Sequence, residues 1–280
     1  MKSISSLSEH KIMVSPKFFD FHFHVNLHND PYGIEFWQLI EDGSYEPDTI
    51  DFLRRNMNED VTFFDIGAAN GAMTLIAASL GATVHSYEPM MNIFQVLERN
   101  VQSNPNLMKR TSIYQAAISD YNGSLSLTRN NSNKVISEIV IENTDMKIQS
   151  AINVLSLRNI LQDFSNLNIY MKIDIEGAEY ALLNDLETLD QMSNSSVILL
   201  LALHPGFLRP YSSLPKIFGV IERGLWRARN MLDNFRLYNN VTKYASVFRS
   251  NEVKVTSAGK FTLLAASGVF EFIVKFGMER

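Results

Sequence analysis

Val61-Thr-Phe-Phe-Asp65-Ile-Gly67-Ala-Ala-Asn-Gly71 is the stretch that decides the fold of this chain. An apolar run ends in an acid, a glycine-framed turn follows, and Ala72-Met-Thr-Leu-Ile-Ala-Ala continues as a helix. Glycines belong where a backbone turns sharply or comes close to a ligand. The next segment, Ala82-Thr-Val-His-Ser-Tyr-Glu88, reads as a strand that also ends in an acid. The order strand, glycine loop, helix, strand, acid is that of a nucleotide-binding half-fold. The second acid is placed to accept from ribose hydroxyls.

The loop spacing narrows the ligand. A dinucleotide site uses G-x-G-x-x-G, which seats a pyrophosphate on the helix N-terminus. Here the spacing is G-x-x-x-G, from Gly67 to Gly71, and Asp65 stands just before it. A carboxylate at that point repels a pyrophosphate and suits a cation, such as the amino group and sulfonium of S-adenosylmethionine. The bland alternative is a structural glycine turn in an α/β sheet.

A second segment repeats the pattern. Ile169-Tyr-Met-Lys-Ile-Asp174-Ile-Glu-Gly-Ala-Glu179 is a strand running into carboxylates and a glycine, with a helix after it. Taken together, the motifs resemble those of the FkbM-type S-adenosylmethionine-dependent methyltransferases. The marks of that family are a D-I/V-G-A-x-x-G loop, a following Y-E-P, and K-I/V-D-I/V-E-G-x-E. They correspond here to Asp65-Ile-Gly-Ala-Ala-Asn-Gly71, Tyr87-Glu-Pro89 and Lys172-Ile-Asp-Ile-Glu-Gly-Ala-Glu179, in the same order. The likeness spans about residues 45 to 205. The last motif is specific, whereas many class I methyltransferases share the first two.

The resemblance implies a Rossmann-like class I methyltransferase: α/β, doubly wound, seven strands, mostly parallel, with one antiparallel strand. The residue pattern agrees, since strands and helices alternate at lengths suited to a parallel sheet. Strands are expected at 61–66, 82–88, 112–118, 168–174 and 197–203, and helices at 72–80, 91–103, 156–165 and 178–187. Residues 124–128 and parts of 135–155 read as short strands. In the tail, a helix near 214–232, a strand at 241–248, a helix at 258–267 and a strand at 269–276 are expected. Residues 16–30 alternate, with Phe19, Phe21, Phe23, Val25 and Leu27 on one face, and read as a half-buried strand. Their other face carries Asp20, His22 and His24, which read as a wet strand face or, less simply, as a metal site. Residues 34–56 read as helix with a break at Gly43-Ser-Tyr. Residues 1–56 are expected to cap the cofactor cleft, and 57–280 to form the methyltransferase core, in a single structural domain.

Composition bounds the partners. The 280 residues carry a net charge of −5, with 46% hydrophobic residues and no cysteine. Without a basic stripe a nucleic-acid partner is not expected. Without cysteine there is no disulfide, cysteine zinc site or thiol nucleophile. No apolar run approaches the roughly 20 residues of a membrane span, and the first residues lack a secretory apolar core. The expectation is a cytoplasmic protein, as a monomer or homodimer, acting on a small-molecule or glycan acceptor.

For the site, the resemblance implies that Gly67, Ala68, Asn70 and Gly71 form the cofactor loop. Glu88 holds the ribose hydroxyls, or is merely a surface strand end. Asp65 orients the loop amides or the methionine amino group, or is structural. Pro89 and Met90 pack on adenine or in the core. Ala117 and Asp120 resemble the adenine-contacting turn, although Asp120 suits a turn cap equally well. Asp174 ends the strand nearest the transferred methyl by analogy. Lys172, in a buried strand, is expected to pair with a carboxylate. Glu176 suits the next helix N-terminus. His204, held extended by Pro205, is a candidate general base. Members often carry an acid two residues before this His, where Ala202 stands. Catechol-type relatives hold a metal with an Asp and a later Asp-Asn pair. Leu203-His-Pro205 occupies that place and Asp233-Asn234 comes too late, so metal-independent transfer to a hydroxyl is expected. The competing expectations are a catalytically degenerate binding or scaffold protein, an N-methyltransferase and, least, an NAD-linked oxidoreductase.

Overall fold

The computed structural model describes residues 10–129, 135–136, 150–164, 167–175, 182, 196–203, 231–250, 252–266 and 271–276. The chain falls into two compact units, residues 1–164 and 165–280.

The first unit begins with a hairpin of β1 (Lys11–Val14) and β2 (Phe23–Asn26), in which Val14 pairs with Phe23. The alternation read across 16–30 is strand only at 23–26. Phe18 lies in the left-handed region at φ 72°, and Phe19 N–H donates to the Pro16 carbonyl at 3.3 Å. That turn reverses the chain and gives β2 its partner, β1, a strand the alternation does not announce. Within β2 the expected facing holds, with Phe23 and Val25 buried.

Helices α1 (Gly33–Asp42) and α2 (Pro47–Asn56) follow, broken as expected at Gly43, which takes φ 75°. The centre of the unit is β3 (Val61–Ile66), buried at every position. Next come α3 (Ala72–Ser79), β4 (Thr83–Tyr87), α4 (Met91–Gln102), the short α5 (Pro105–Met108) and β5 (Thr111–Tyr114). β3, β4 and β5 pair in parallel, with Asp65 beside Ser86 and Tyr87 beside Tyr114. Burial on both faces explains why the central β3 reads as a near-continuous apolar run.

The expected strand 112–118 is two strands. The Ala116 N–H donates to the Tyr114 carbonyl at 3.1 Å, and this tight turn ends β5. β6 (Ala117–Ser119) then enters a second sheet of order β6-β9-β7-β8, with β7 at Gly123–Arg129, β8 at Val135–Ile136 and β9 at Ser150–Ser156. The helix α6 (Leu157–Leu161) is shorter than expected and is capped by Ser156, whose Oγ accepts the Asn159 N–H at 3.2 Å.

In the second unit β10 (Asn168–Ile173) and β11 (Ser196–Ala202) are parallel. β13 (Glu271–Phe276) runs antiparallel both to β11 and to β12 (Ala245–Arg249). α7 spans Ala258–Ala266. Residues 231–241 are helical, so the expected strand 241–248 starts only at 245. The expected helix at 178–187 lies outside the described residues except for Leu182, as does the one at 214–232 except for its last two residues. The large sheet has the order β12-β13-β11-β10-β3-β4-β5. It is the doubly wound, seven-stranded, mostly parallel α/β class expected, with one antiparallel strand. Among the described residues no helix is long and apolar enough to cross a membrane.

Candidate functional site

The carboxyl ends of β3 and β4 lie side by side in the first unit, so their two acids and the intervening loop form one neighbourhood. The loop makes three left-handed turns, at Gly67 (φ 82°), Ala69 (φ 50°) and Gly71 (φ 88°). An alanine in that region costs about 1–2 kcal/mol unless its surroundings hold it there. The surroundings do. Gly67 and Ala68 N–H groups both donate to the Tyr87 carbonyl at 3.0 Å, and Ala69 N–H donates to Glu88 Oε2 at 3.1 Å. The other oxygen of Glu88, Oε1, accepts the Met90 N–H at 2.8 Å. Glu88 is buried at 7% exposure and ties the loop to the start of α4.

Gly71 is required by more than its dihedral. A Cβ there would stand 2.6 Å from Leu97 Cδ1 of α4, and Leu97 is itself fully buried. The same face of α4 packs Leu97 and Val101 against Ala68. Asn70 is buried at 1% exposure; its carbonyl accepts from Asn100 Nδ2 at 2.8 Å, while its own Nδ2 makes no hydrogen bond.

Asp65 is fully buried. Its Oδ2 accepts from Thr74 Oγ1 at 2.7 Å, and Ser86 Oγ lies 2.7 Å from the same hydroxyl. The one proton of Thr74 serves Asp65, so Ser86 donates to Thr74. The described bonds that orient the loop amides thus come from Tyr87 and Glu88, while Asp65 is held from α3. Thr74, Ser86 and Asn100 were missed in the sequence reading. The available signal was a hydroxyl or amide at a position that helical or strand periodicity places on an apolar face.

Pro89 is half-buried, its carbonyl 3.5 Å from Gln115 Nε2. Ala117 pairs with Val154 in the second sheet, and Asp120 is exposed and accepts from Ser119 Oγ at 3.1 Å.

In the second unit Asp174 follows the last residue of β10. Its Oδ2 lies 2.9 Å from Lys172 Nζ, an ion pair in which the lysine side chain is 7% exposed and the aspartate 23%. The expected carboxylate partner of Lys172 is therefore Asp174. His204, Glu176 and Glu179 lie outside the described residues. Asp233 and Asn234 stand on the 231–241 helix, Asn234 buried and Asp233 3.8 Å from Arg236. Among the described residues no group of three or more His, Asp or Glu is placed to hold a metal ion. Two aromatics belong to the core: Trp37 is fully buried with its indole N–H on Asp30 at 2.9 Å, and the buried Tyr238 donates its hydroxyl to the Val255 carbonyl at 2.8 Å.

Residues 65–202 match the family model described as the methyltransferase FkbM domain. Over that segment the chain is similar to the FkbM methyltransferases. No curated protein matches it by sequence. Solved structures similar to it include a TehB-like SAM-dependent methyltransferase from Corynebacterium glutamicum, at 8% identity over 90% of this chain and 98% of that one, with a TM-score of 0.42. A precorrin-6y C5,15-methyltransferase from Geobacter metallireducens matches at 9% identity over 82% and 85%, with a TM-score of 0.34.

Proposed function

We propose that this methyltransferase uses S-adenosylmethionine and methylates a hydroxyl of a sugar, glycan or polyketide-type small molecule. The observation that carries the cofactor half is Glu88, a buried carboxylate seated on the Ala69 and Met90 amides at the end of β4. A carboxylate at the end of this strand is the kind of acceptor that ribose hydroxyls take in nucleotide-binding half-folds. The residues fit the cofactor in one further respect: the buried Asn70 amide has a donor with no hydrogen-bond partner. A buried donor without a partner is costly, and a ligand acceptor would relieve that cost. When bound, the cofactor supplies an electrophilic methyl on a sulfonium, to which a nearby carboxylate is electrostatically suited. Gly67, Ala68, Asn70, Gly71, Glu88 and Pro89 are the residues assigned to hold it, with Asp65 behind the loop and Ala117 and Asp120 toward adenine.

The chain's remaining task is to orient the acceptor and remove its proton. Asp174, fixed by Lys172, and His204 are the two candidate bases. O-methylation rests on the family resemblance and on the absence of the Asp-Pro-Pro-Tyr type of segment common in N-methyltransferases, since Asp174-Ile-Glu-Gly177 stands in that place. Calorimetric titration with S-adenosylmethionine, S-adenosylhomocysteine and NAD tests the cofactor. Micromolar affinity for the adenosyl pair is expected. A folded protein that binds neither would leave a scaffold of methyltransferase fold. Mass spectrometry of hydroxylated and aminated acceptors for a gain of one methyl then separates oxygen from nitrogen transfer.

A further inference from the structure

Two buried asparagines, Asn100 on α4 and Asn104 just before α5, face the N-terminal hairpin. Asn104 accepts the His24 N–H at 2.8 Å and donates to the His24 carbonyl at 2.7 Å. Its amide thereby pairs with β2 as a neighbouring strand would, and closes an edge that would otherwise be open. Asn100, one turn earlier, does something different. Its Oδ1 accepts the Asn26 N–H at 2.7 Å, and its Nδ2 donates to the Asn70 carbonyl at 2.8 Å. One rigid amide therefore joins β2 to the glycine loop, segments that stand far from α4 in sequence.

We propose that Asn100 is a positioning residue for the loop, holding the Ala69–Gly71 backbone in the turn that receives the cofactor. This rests on the reading of Gly67–Gly71 as the cofactor loop. Asn70 is flanked by two left-handed residues, Ala69 and Gly71. Such a backbone persists only when it is held from outside. Glu88 holds it on one side, through the Ala69 N–H, and Asn100 on the other, through the Asn70 carbonyl. A side-chain amide offers an acceptor to Asn26 and a donor to Asn70 on one planar group. An aspartate keeps the first bond, loses the second and sets a carboxylate against a carbonyl.

The test compares Asn100→Asp with Asn104→Ala in the full chain. Amide hydrogen exchange of the ligand-free protein and calorimetry with S-adenosylmethionine are read well below each melting temperature. Asn104→Ala is expected to lower the melting temperature and leave loop exchange and cofactor affinity within twofold of the parent. Asn100→Asp is expected to speed exchange at Ala69–Gly71 at least tenfold and weaken the cofactor at least tenfold. Should Asn100→Asp not fold, Asn100→Ser carries the same readouts. Equal melting losses in the two variants, with parent-like loop exchange in both, would overturn the positioning role. A parent that binds no S-adenosylmethionine would instead refute the cofactor reading, and the exchange comparison would still decide whether Asn100 holds the loop.

Discussion

The β3–β4 end and the β10 end look alike in sequence, each an apolar strand running to an acid and then a glycine, yet they hold their acids by different means. Asp65 is fully buried and takes a hydroxyl proton from Thr74, and Glu88 takes two backbone amides. Asp174 keeps part of its surface in solvent and takes an ammonium from Lys172. Neutral donors orient a carboxylate without adding a countercharge, whereas an ion pair fixes its position and offsets its charge in the same contact. The first arrangement ties the acids into the loop and α3. The second suits a carboxylate whose placement matters and whose field is tempered.

Removing Glu88 should break the comparison most completely. Glu88→Ala deletes the ribose acceptor and strands the Ala69 and Met90 amides together. Bonds to a charged acceptor are each worth about 1.5–3 kcal/mol. A loss of 100-fold or more in S-adenosylmethionine affinity, about 3 kcal/mol, is expected by calorimetry. Glu88→Gln should fall between, because its amide nitrogen meets an N–H donor. Parent-like affinity in Glu88→Ala would remove the β4 end from the binding site.

Next in size is the loop itself. Gly71→Ala imposes a left-handed alanine and drives its Cβ toward Leu97. Strain and overpacking together should cost about 2–4 kcal/mol, seen as a lower melting temperature. Adding Leu97→Ala restores the space but not the dihedral, so the double variant should recover cofactor affinity only in part. Full recovery would mean that the crossing of α4, and not the left-handed turn, makes glycine necessary.

The second region should answer in the opposite order. Asp174→Asn removes the carboxylate of the Lys172 ion pair, which costs about 3 kcal/mol for a pair this enclosed. Lys172→Met leaves a carboxylate that reaches water, and the loss should be smaller. The melting temperatures should therefore run parent, Lys172→Met, Asp174→Asn, with cofactor affinity within a few-fold of the parent throughout. The reverse order would show that the aspartate, not the lysine, is the enclosed partner.

The parts legible in sequence were those where period, punctuation and chemistry agreed. β3, α3 and β4 are short segments punctuated by glycine or an acid, and they fall within a residue or two of expectation. Misreadings came where tertiary pairing overrode a local pattern. Phe19 and Phe21 continue the alternation of β2, but the left-handed Phe18 and the turn at Pro16 free them from the strand. Ser112 to Ile118 reads as one strand, yet Ala117 to Ser119 pairs with Val154 to Ser156, a partner 37 residues away that no local rule announces. The candidate site divides in the same way. Gly67, Gly71 and Glu88 were legible because their chemistry is local. Asn100 was hidden because its function is two long-range bonds, and an asparagine on a helix reads as a solvent-facing residue.

The smallest expected effect sharpens the contrast with a third way of treating a titratable group. On the sheet face opposite Asp65, His85 stacks on Phe64 at 5.2 Å and on Tyr114 at 6.2 Å, with Phe164 edge-on at 4.9 Å. Burial alone lowers its pKa below the ordinary value of 6.5. Above the unfolded value the ring is neutral in both states and stability is at its full level. As the pH falls below about 6.5 the unfolded chain binds the proton first, and stability declines until the folded pKa is passed. His24 is shifted in the same direction, by burial first and then by Lys11 and His22, so the parent's acid limb carries both. His85→Phe keeps the stack and removes one titration. Melting temperatures of parent and variant should agree at pH 8 and separate by about 2–4 °C at pH 5, the variant melting higher. Curves that stay parallel across that range would show that His85 keeps its proton in the folded protein. The aromatic face would then tolerate a charge, as the β10 end does with its ion pair.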